Sequence, residues 1–67
     1  MKLTELDSEC ETGPCPTIYL TDTGELIVQG FKVDDPEALA TMQLPESESA
    51  VRIPVALLKR VARDHLA

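Results

Sequence analysis

A β-hairpin pattern in the first half of the sequence constrains this chain more than any other feature. Thr17–Thr21 and Glu25–Phe31 are rich in the β-branched, aliphatic and aromatic residues that strands prefer. Asp22-Thr23-Gly24 lies between them, and its glycine can adopt the positive φ that a tight turn requires. The pattern therefore predicts two antiparallel strands joined by a short turn.

Both faces of this hairpin are apolar. Because side chains alternate along a strand, Ile18, Leu20, Leu26 and Val28 are predicted to share one face, and Tyr19, Ile27 and Phe31 the other. An antiparallel sheet in a monomer normally leaves one face to water. We therefore expect helices or a second chain to cover both faces.

The length of the chain limits how much of this surface it can cover itself. The 67 residues fit one domain, and they include only one Tyr, one Phe and no Trp. Domains this small usually depend on a disulfide, a metal, oligomerisation or a partner. We expect the last two, with a homodimer as the simplest oligomer.

The two cysteines could provide a disulfide or part of a metal site. Cys10 and Cys15 enclose a Gly-Pro turn, and with His65 they supply three possible zinc ligands, one fewer than a structural site needs. The sequence does not open with a signal peptide and has no apolar run long enough to span a membrane, so we expect a cytoplasmic, reducing environment. Free thiols are therefore favoured, while a disulfide and a metal-binding mini-domain stay open as alternatives.

The remaining segments predict an α+β fold with a three-stranded antiparallel sheet. Residues 1–15 are interpreted as a flexible acidic arm, and residues 16–67 as a single small domain. Asp34-Asp35-Pro36 predicts the start of a short helix, because Asp caps and Pro begins helices well. Ala50–Ile53 is expected to add the third strand to the hairpin.

An amphipathic helix is predicted from Val55 to about Leu66. At 3.6 residues per turn, its apolar face is predicted to hold Val55, Leu58, Val61, Ala62 and Leu66, with His65 inside the same arc. The opposite face carries the basic residues Lys59, Arg60 and Arg63.

Charge is distributed unevenly along the chain. Residues 1–48 contain eleven acidic and two basic side chains, whereas residues 49–67 contain four basic side chains and one acidic. A net charge of −6 disfavours direct binding of nucleic acid and favours docking on a basic protein.

Motifs for catalysis are not recognisable in the sequence. The single histidine and the two cysteines lie near opposite ends of the chain, and the glycines do not form a phosphate-binding pattern. We therefore expect neither an enzyme nor a bound cofactor, and we assign no catalytic or metal-binding residues.

Several segments together form a recognisable order of hairpin, helix start, strand and helix: Cys15–Tyr19, Gly24–Val33, Asp35–Ala40 and the closing Val51–Pro54 with Leu57-Leu58. In this order they resemble small acidic actinobacterial proteins that are encoded beside helix-turn-helix regulators. The resemblance implies a regulatory accessory protein that binds a protein partner, with a helix-turn-helix transcription regulator as the partner.

A second resemblance supports an alternative function. Arg52–Arg60 is similar to the strand-proline-helix step of swapped-hairpin transition-state regulators, which are dimers that bind DNA through basic residues. Candidate partner-binding residues from both interpretations are Tyr19, Ile27, Phe31, Arg52, Lys59, Arg60 and Arg63.

Overall fold

A three-stranded antiparallel sheet forms the centre of the structure. In the computed structural model, which describes residues 1–66, strands β1 (Leu3–Ser8), β2 (Thr17–Thr21) and β3 (Leu26–Gln29) lie in the order β1-β2-β3. A short helix, a C-terminal helix and a second, two-stranded sheet make up the other elements of the described residues. The predicted α+β class is confirmed.

The predicted hairpin is confirmed as β2 and β3. Ile18 lies opposite Val28, and Tyr19 lies opposite Ile27. Gly24 takes a φ of 87° in the turn, which glycine adopts without steric cost. The hydroxyl of Thr21 accepts the backbone N–H of Glu25 at 2.9 Å and fixes the turn to the start of β3.

The third strand of this sheet is not the one that the sequence suggested. Leu3–Ser8, interpreted as part of a flexible arm, pairs antiparallel with β2, with an irregularity in register between Glu5 and Asp7. The polar sequence of β1 hides its strand character, because only Leu6 packs against the core. The pairing depends on β2 and on the C-terminal helix, and no local pattern within the first fifteen residues reveals either contact.

A second, two-stranded sheet extends from the end of the hairpin. It pairs β4 (Phe31–Lys32) with β5 (Val51–Arg52), so that Phe31 lies opposite Arg52. The predicted strand near residue 51 therefore exists, but it joins β4 rather than the hairpin.

The short helix α1 spans Pro36–Thr41 and begins as predicted. The carboxylate of Asp35 accepts the backbone N–H of Ala38 at 2.8 Å, and Pro36 occupies the first helical position.

The C-terminal helix packs on β1 and β2. It comprises α2 (Val55–Val61) and a π-helical turn, Ala62–Leu66. Leu57 and Val61 are fully buried against Ile18, and Leu6 and Ile53 border this core.

The predicted apolar arc of this helix is correct only for Val61, which is fully buried, while the other members of the arc are exposed. Val55, Leu58 and Leu66 are exposed, whereas Leu57, which the arc omitted, is fully buried. Leu57 and Val61 are four residues apart and lie on one side of the helix. The periodicity is compatible with two orientations of the helix, and packing on Ile18 selects the one that buries these two residues.

The expectation of free thiols is also wrong, because Cys10 and Cys15 form a disulfide. Gly13, at a φ of 93°, reverses the loop between them, and their Cα atoms lie 6.0 Å apart, within the usual disulfide range. The expectation rested on the compartment, whereas loop geometry brings the two residues together. Among residues 1–66, no group of three potential ligands is arranged around a metal position.

The length and hydropathy of the two helices bear on membrane insertion. Within the described part of the chain, neither helix has the length and apolar character that crossing a bilayer requires.

The core makes a direct prediction about stability. Leu57→Ala should lower the free energy of unfolding by about 2–5 kcal/mol, because it leaves a cavity against Ile18 and Val61. The matched variant Leu58→Ala, at a half-exposed neighbouring position, should cost less than about 1 kcal/mol. Urea denaturation followed by circular dichroism measures both, and equal losses would contradict the helix orientation described above.

Candidate partner-binding surface

An exposed aromatic residue marks the most distinctive surface of the molecule. Phe31 is 60% exposed although it belongs to a strand. Arg52 lies opposite it on β5, and its guanidinium carbon is 5.7 Å from the centre of the Phe31 ring. This distance is within the range of a cation–π contact, which holds the arginine over the ring.

Phe31 and Arg52 border a shallow depression with Ile53 and Pro54. We call these four residues the Phe31 surface. The depression has a volume of about 480 Å³. Its chemistry is apolar with a single cation, so it suits an aliphatic or aromatic side chain accompanied by a hydrogen-bond acceptor.

Gly30 sets the position of this surface, and sequence reasoning missed its role. A Cβ atom at residue 30 would lie 2.5 Å from the carbonyl oxygen of Arg52 and 2.8 Å from Cγ2 of Ile53. Only glycine allows the two strands to approach this closely. The sequence signal for this role is a glycine inside a strand pattern, directly before the aromatic residue Phe31, because such a glycine often marks a close approach of two backbone segments.

Tyr19 and Ile27 form a separate pair on the three-stranded sheet. They lie directly opposite each other on β2 and β3 and are both half-buried. The Tyr19 hydroxyl donates to Oε1 of Gln29 at 3.2 Å. Phe31 was predicted to share their face, but it lies on β4 in the other sheet.

The predicted basic stripe is largely occupied by contacts within the chain. Arg60 donates from Nε to Asp7 at 2.8 Å and from Nη2 to Glu9 at 2.9 Å. Arg63 pairs with its neighbour Asp64 at 2.7 Å. Lys59 is exposed on the same helix.

The contacts of Arg60 attach the C-terminal helix to the N-terminal strand. Its guanidinium lowers the pKa of Asp7 below the usual value, and the backbone N–H of Ser8 contributes to the same shift. The two carboxylates in turn raise the pKa of Arg60. Sequence analysis missed Asp7 and Glu9 as partners, because they lie more than fifty residues away from Arg60.

The residues with catalytic potential have structural contacts instead. Nε2 of His65 lies 3.1 Å from the carbonyl oxygen of Leu6, so the imidazole joins the end of the helix to β1. Both cysteines are in the disulfide. None of the four residues of the Phe31 surface is a nucleophile or a general base.

The Asp7–Arg60 contact predicts a specific pH dependence. Asp7 titrates at a lower pKa in the folded chain, so its contribution to stability is present above the unfolded value of 3.8 and is lost as the pH falls through the lowered value. Asp7→Asn should therefore be less stable than wild type at pH 7, and the difference should shrink below about pH 4.

Denaturant unfolding from pH 7 to pH 2 measures that difference. Asp34→Asn is the matched control, because Asp34 is exposed and has no ion pair within residues 1–66. A stability difference for Asp7→Asn that stays constant down to pH 2 would show that the ion pair does not stabilise the fold.

The chain was compared with protein families, curated proteins and solved structures. No family model, curated protein or solved structure matches the chain.

Proposed function

We propose that this chain is a small acidic regulatory accessory protein that binds a protein partner through the Phe31 surface. The partner class that we propose is a helix-turn-helix transcription regulator. The chain acts by binding, without catalysis and without a cofactor.

The exposed Phe31–Arg52 pair is the observation that carries this proposal. Leaving a phenylalanine 60% exposed is unfavourable for an isolated small domain, since an aromatic ring buries more apolar area than most other side chains. Aromatic and arginine side chains are enriched among the residues that dominate binding energy at protein interfaces. Their cross-strand pairing gives both side chains a fixed position before a partner arrives.

Charge supports a basic protein as the partner. The net charge of −6 attracts positively charged surfaces and repels phosphate. DNA-binding regulators carry basic patches for phosphate contacts, so an acidic protein can approach them with electrostatic steering.

The paired arginines argue against direct binding of DNA by the chain itself. The swapped-hairpin alternative uses Arg52, Lys59, Arg60 and Arg63 for DNA binding, whereas two of these, Arg60 and Arg63, already bind carboxylates within the chain. Phosphate contact would require breaking those pairs and overcoming the acidic surface.

A cytoplasmic location belongs to the same proposal, because transcription regulators act there. Disulfides are uncommon in that compartment, but Phe31, Arg52, Ile53 and Pro54 do not include Cys10 or Cys15, so the proposed binding does not require their disulfide.

Substitutions at the Phe31 surface test the proposal. Phe31→Ala and Arg52→Ala should each weaken binding to the isolated regulator at least about tenfold, which is the loss expected for a residue that dominates an interface. Leu39→Ala is the control, because Leu39 is an exposed aliphatic residue on α1, outside this surface. Calorimetry with a regulator identified by affinity purification and mass spectrometry measures the three affinities.

Two results would contradict this function. The first is a set of equal affinities for wild type, Phe31→Ala and Arg52→Ala while circular dichroism shows all three folded. The second is salt-dependent binding of duplex DNA by the chain alone, which would favour the swapped-hairpin alternative.

A further inference from the structure

We propose that two copies of this chain associate through the free edge of β3. Their sheets would join into one antiparallel sheet, with a twofold axis at Ile27. This contact involves β3, whereas the proposed partner-binding surface lies on β4 and β5.

The hydrogen-bonding pattern shows which groups this edge offers. The backbone N–H of Thr21 donates to the carbonyl of Glu25 at 2.8 Å, which places these two residues at a hydrogen-bonded position of the ladder, although the N–H of Glu25 donates to the Thr21 hydroxyl. Hydrogen-bonded and non-bonded pairs alternate along an antiparallel ladder, so Ile27 directs its backbone groups towards β2. The N–H and C=O groups of Leu26 and Val28 therefore point away from the sheet.

Those outward groups lack partners inside the described part of the chain. The sheet ends at β3, and no other backbone or side-chain hydrogen bond reaches Leu26 or Val28 within residues 1–66. The C-terminal helix packs on β1 and β2, so it leaves this edge uncovered.

A register with Ile27 at the twofold axis satisfies the outward N–H and C=O groups of Leu26 and Val28. Placing Ile27 opposite Ile27 of the second copy sets Leu26 opposite Val28 of the second copy. Each of these two pairs exchanges two backbone hydrogen bonds, so the outward donors and acceptors of both chains are all satisfied. A shift by one residue would place side chains from opposite faces beside each other and break this match.

The side chains at the edge favour the same contact. Leu26 is 41% exposed and Val28 is 37% exposed, and both lie on the face that also holds Leu20. Pairing would bring Leu26 against Val28 of the second copy on this face, and the two Ile27 side chains together on the other. β3 itself has no charged residue, no proline and no bulge, which are the features that normally protect an edge strand from pairing.

The charges at the two ends of β3 favour an antiparallel over a parallel arrangement of the second copy. Asp22 and Glu25 precede β3, and Lys32 follows it. Antiparallel pairing brings the acidic start of one strand towards the basic end of the other, whereas parallel pairing would oppose like charges. The other edge of the sheet is less suitable, because β1 carries Glu5 and Asp7 and an irregular register.

The mass in solution tests the association. We expect analytical ultracentrifugation to give twice the chain mass of 7.3 kDa for wild type. Val28→Lys should raise the dissociation constant at least tenfold, because it places like charges at the seam while its own position is already partly exposed. Leu3→Lys is the matched control, since Leu3 is an exposed aliphatic residue on the opposite edge strand.

A cysteine cross-link tests the register. Ile27→Cys should form a covalent dimer on mild oxidation, because identical residues at the axis form a close, non-hydrogen-bonded pair. Gln29→Cys should not, because its opposite residue in the second copy is Glu25. Peptide mapping by mass spectrometry separates this cross-link from exchange with the Cys10–Cys15 disulfide.

The outcomes separate this inference from the proposed function. A folded wild type that stays a monomer at millimolar concentration, or a Val28→Lys variant that dimerises as well as wild type, would overturn it. The proposal would also be overturned if β3 paired only with a strand of a different protein and not with a second copy of this chain. Phe31→Ala should leave the dimer unchanged, so loss of partner binding and loss of dimerisation are observed with different variants.

Discussion

The packing of Leu57 and Val61 on Ile18 is the contact on which the rest of the structure depends. These three are the only hydrophobic side chains within residues 1–66 that are fully buried. A single helix can cover only part of a three-stranded sheet, and here it covers β1 and β2. The position of this small core therefore decides which apolar residues stay exposed: those on β3 and those around Phe31.

Polar contacts reinforce this core at its border. Arg60 binds Asp7 and Glu9, and His65 contacts the backbone of Leu6, so both join the C-terminal helix to β1. Each is partly exposed and screened by solvent, so each contributes modestly to stability. Their larger effect is on specificity, because they place an otherwise polar strand at one edge of the sheet. The same contacts withdraw Arg60 from the surface that sequence reasoning assigned to a partner.

Sequence reasoning succeeded where the determinants are local and failed where they are distant. The turn at Gly24, the Asp35 cap and the extent of the C-terminal helix follow from neighbouring residues, and all three were predicted. The role of β1 and the orientation of the helix depend on contacts across the whole chain. At the candidate site, Phe31 and Arg52 were each predicted, but their pairing depends on a strand register that Gly30 permits.

The two proposed surfaces have a geometric consequence when they are considered together. A dimer joined at β3 would present two Phe31 surfaces related by a twofold axis. Helix-turn-helix regulators, the proposed partner class, commonly bind DNA as twofold dimers, so their symmetry would match that of the proposed dimer. Two linked contacts bind more tightly than one when both can form at once. Weak contacts at two small depressions would then combine into a stable complex, so the proposed dimer would offset the small binding area that each chain offers.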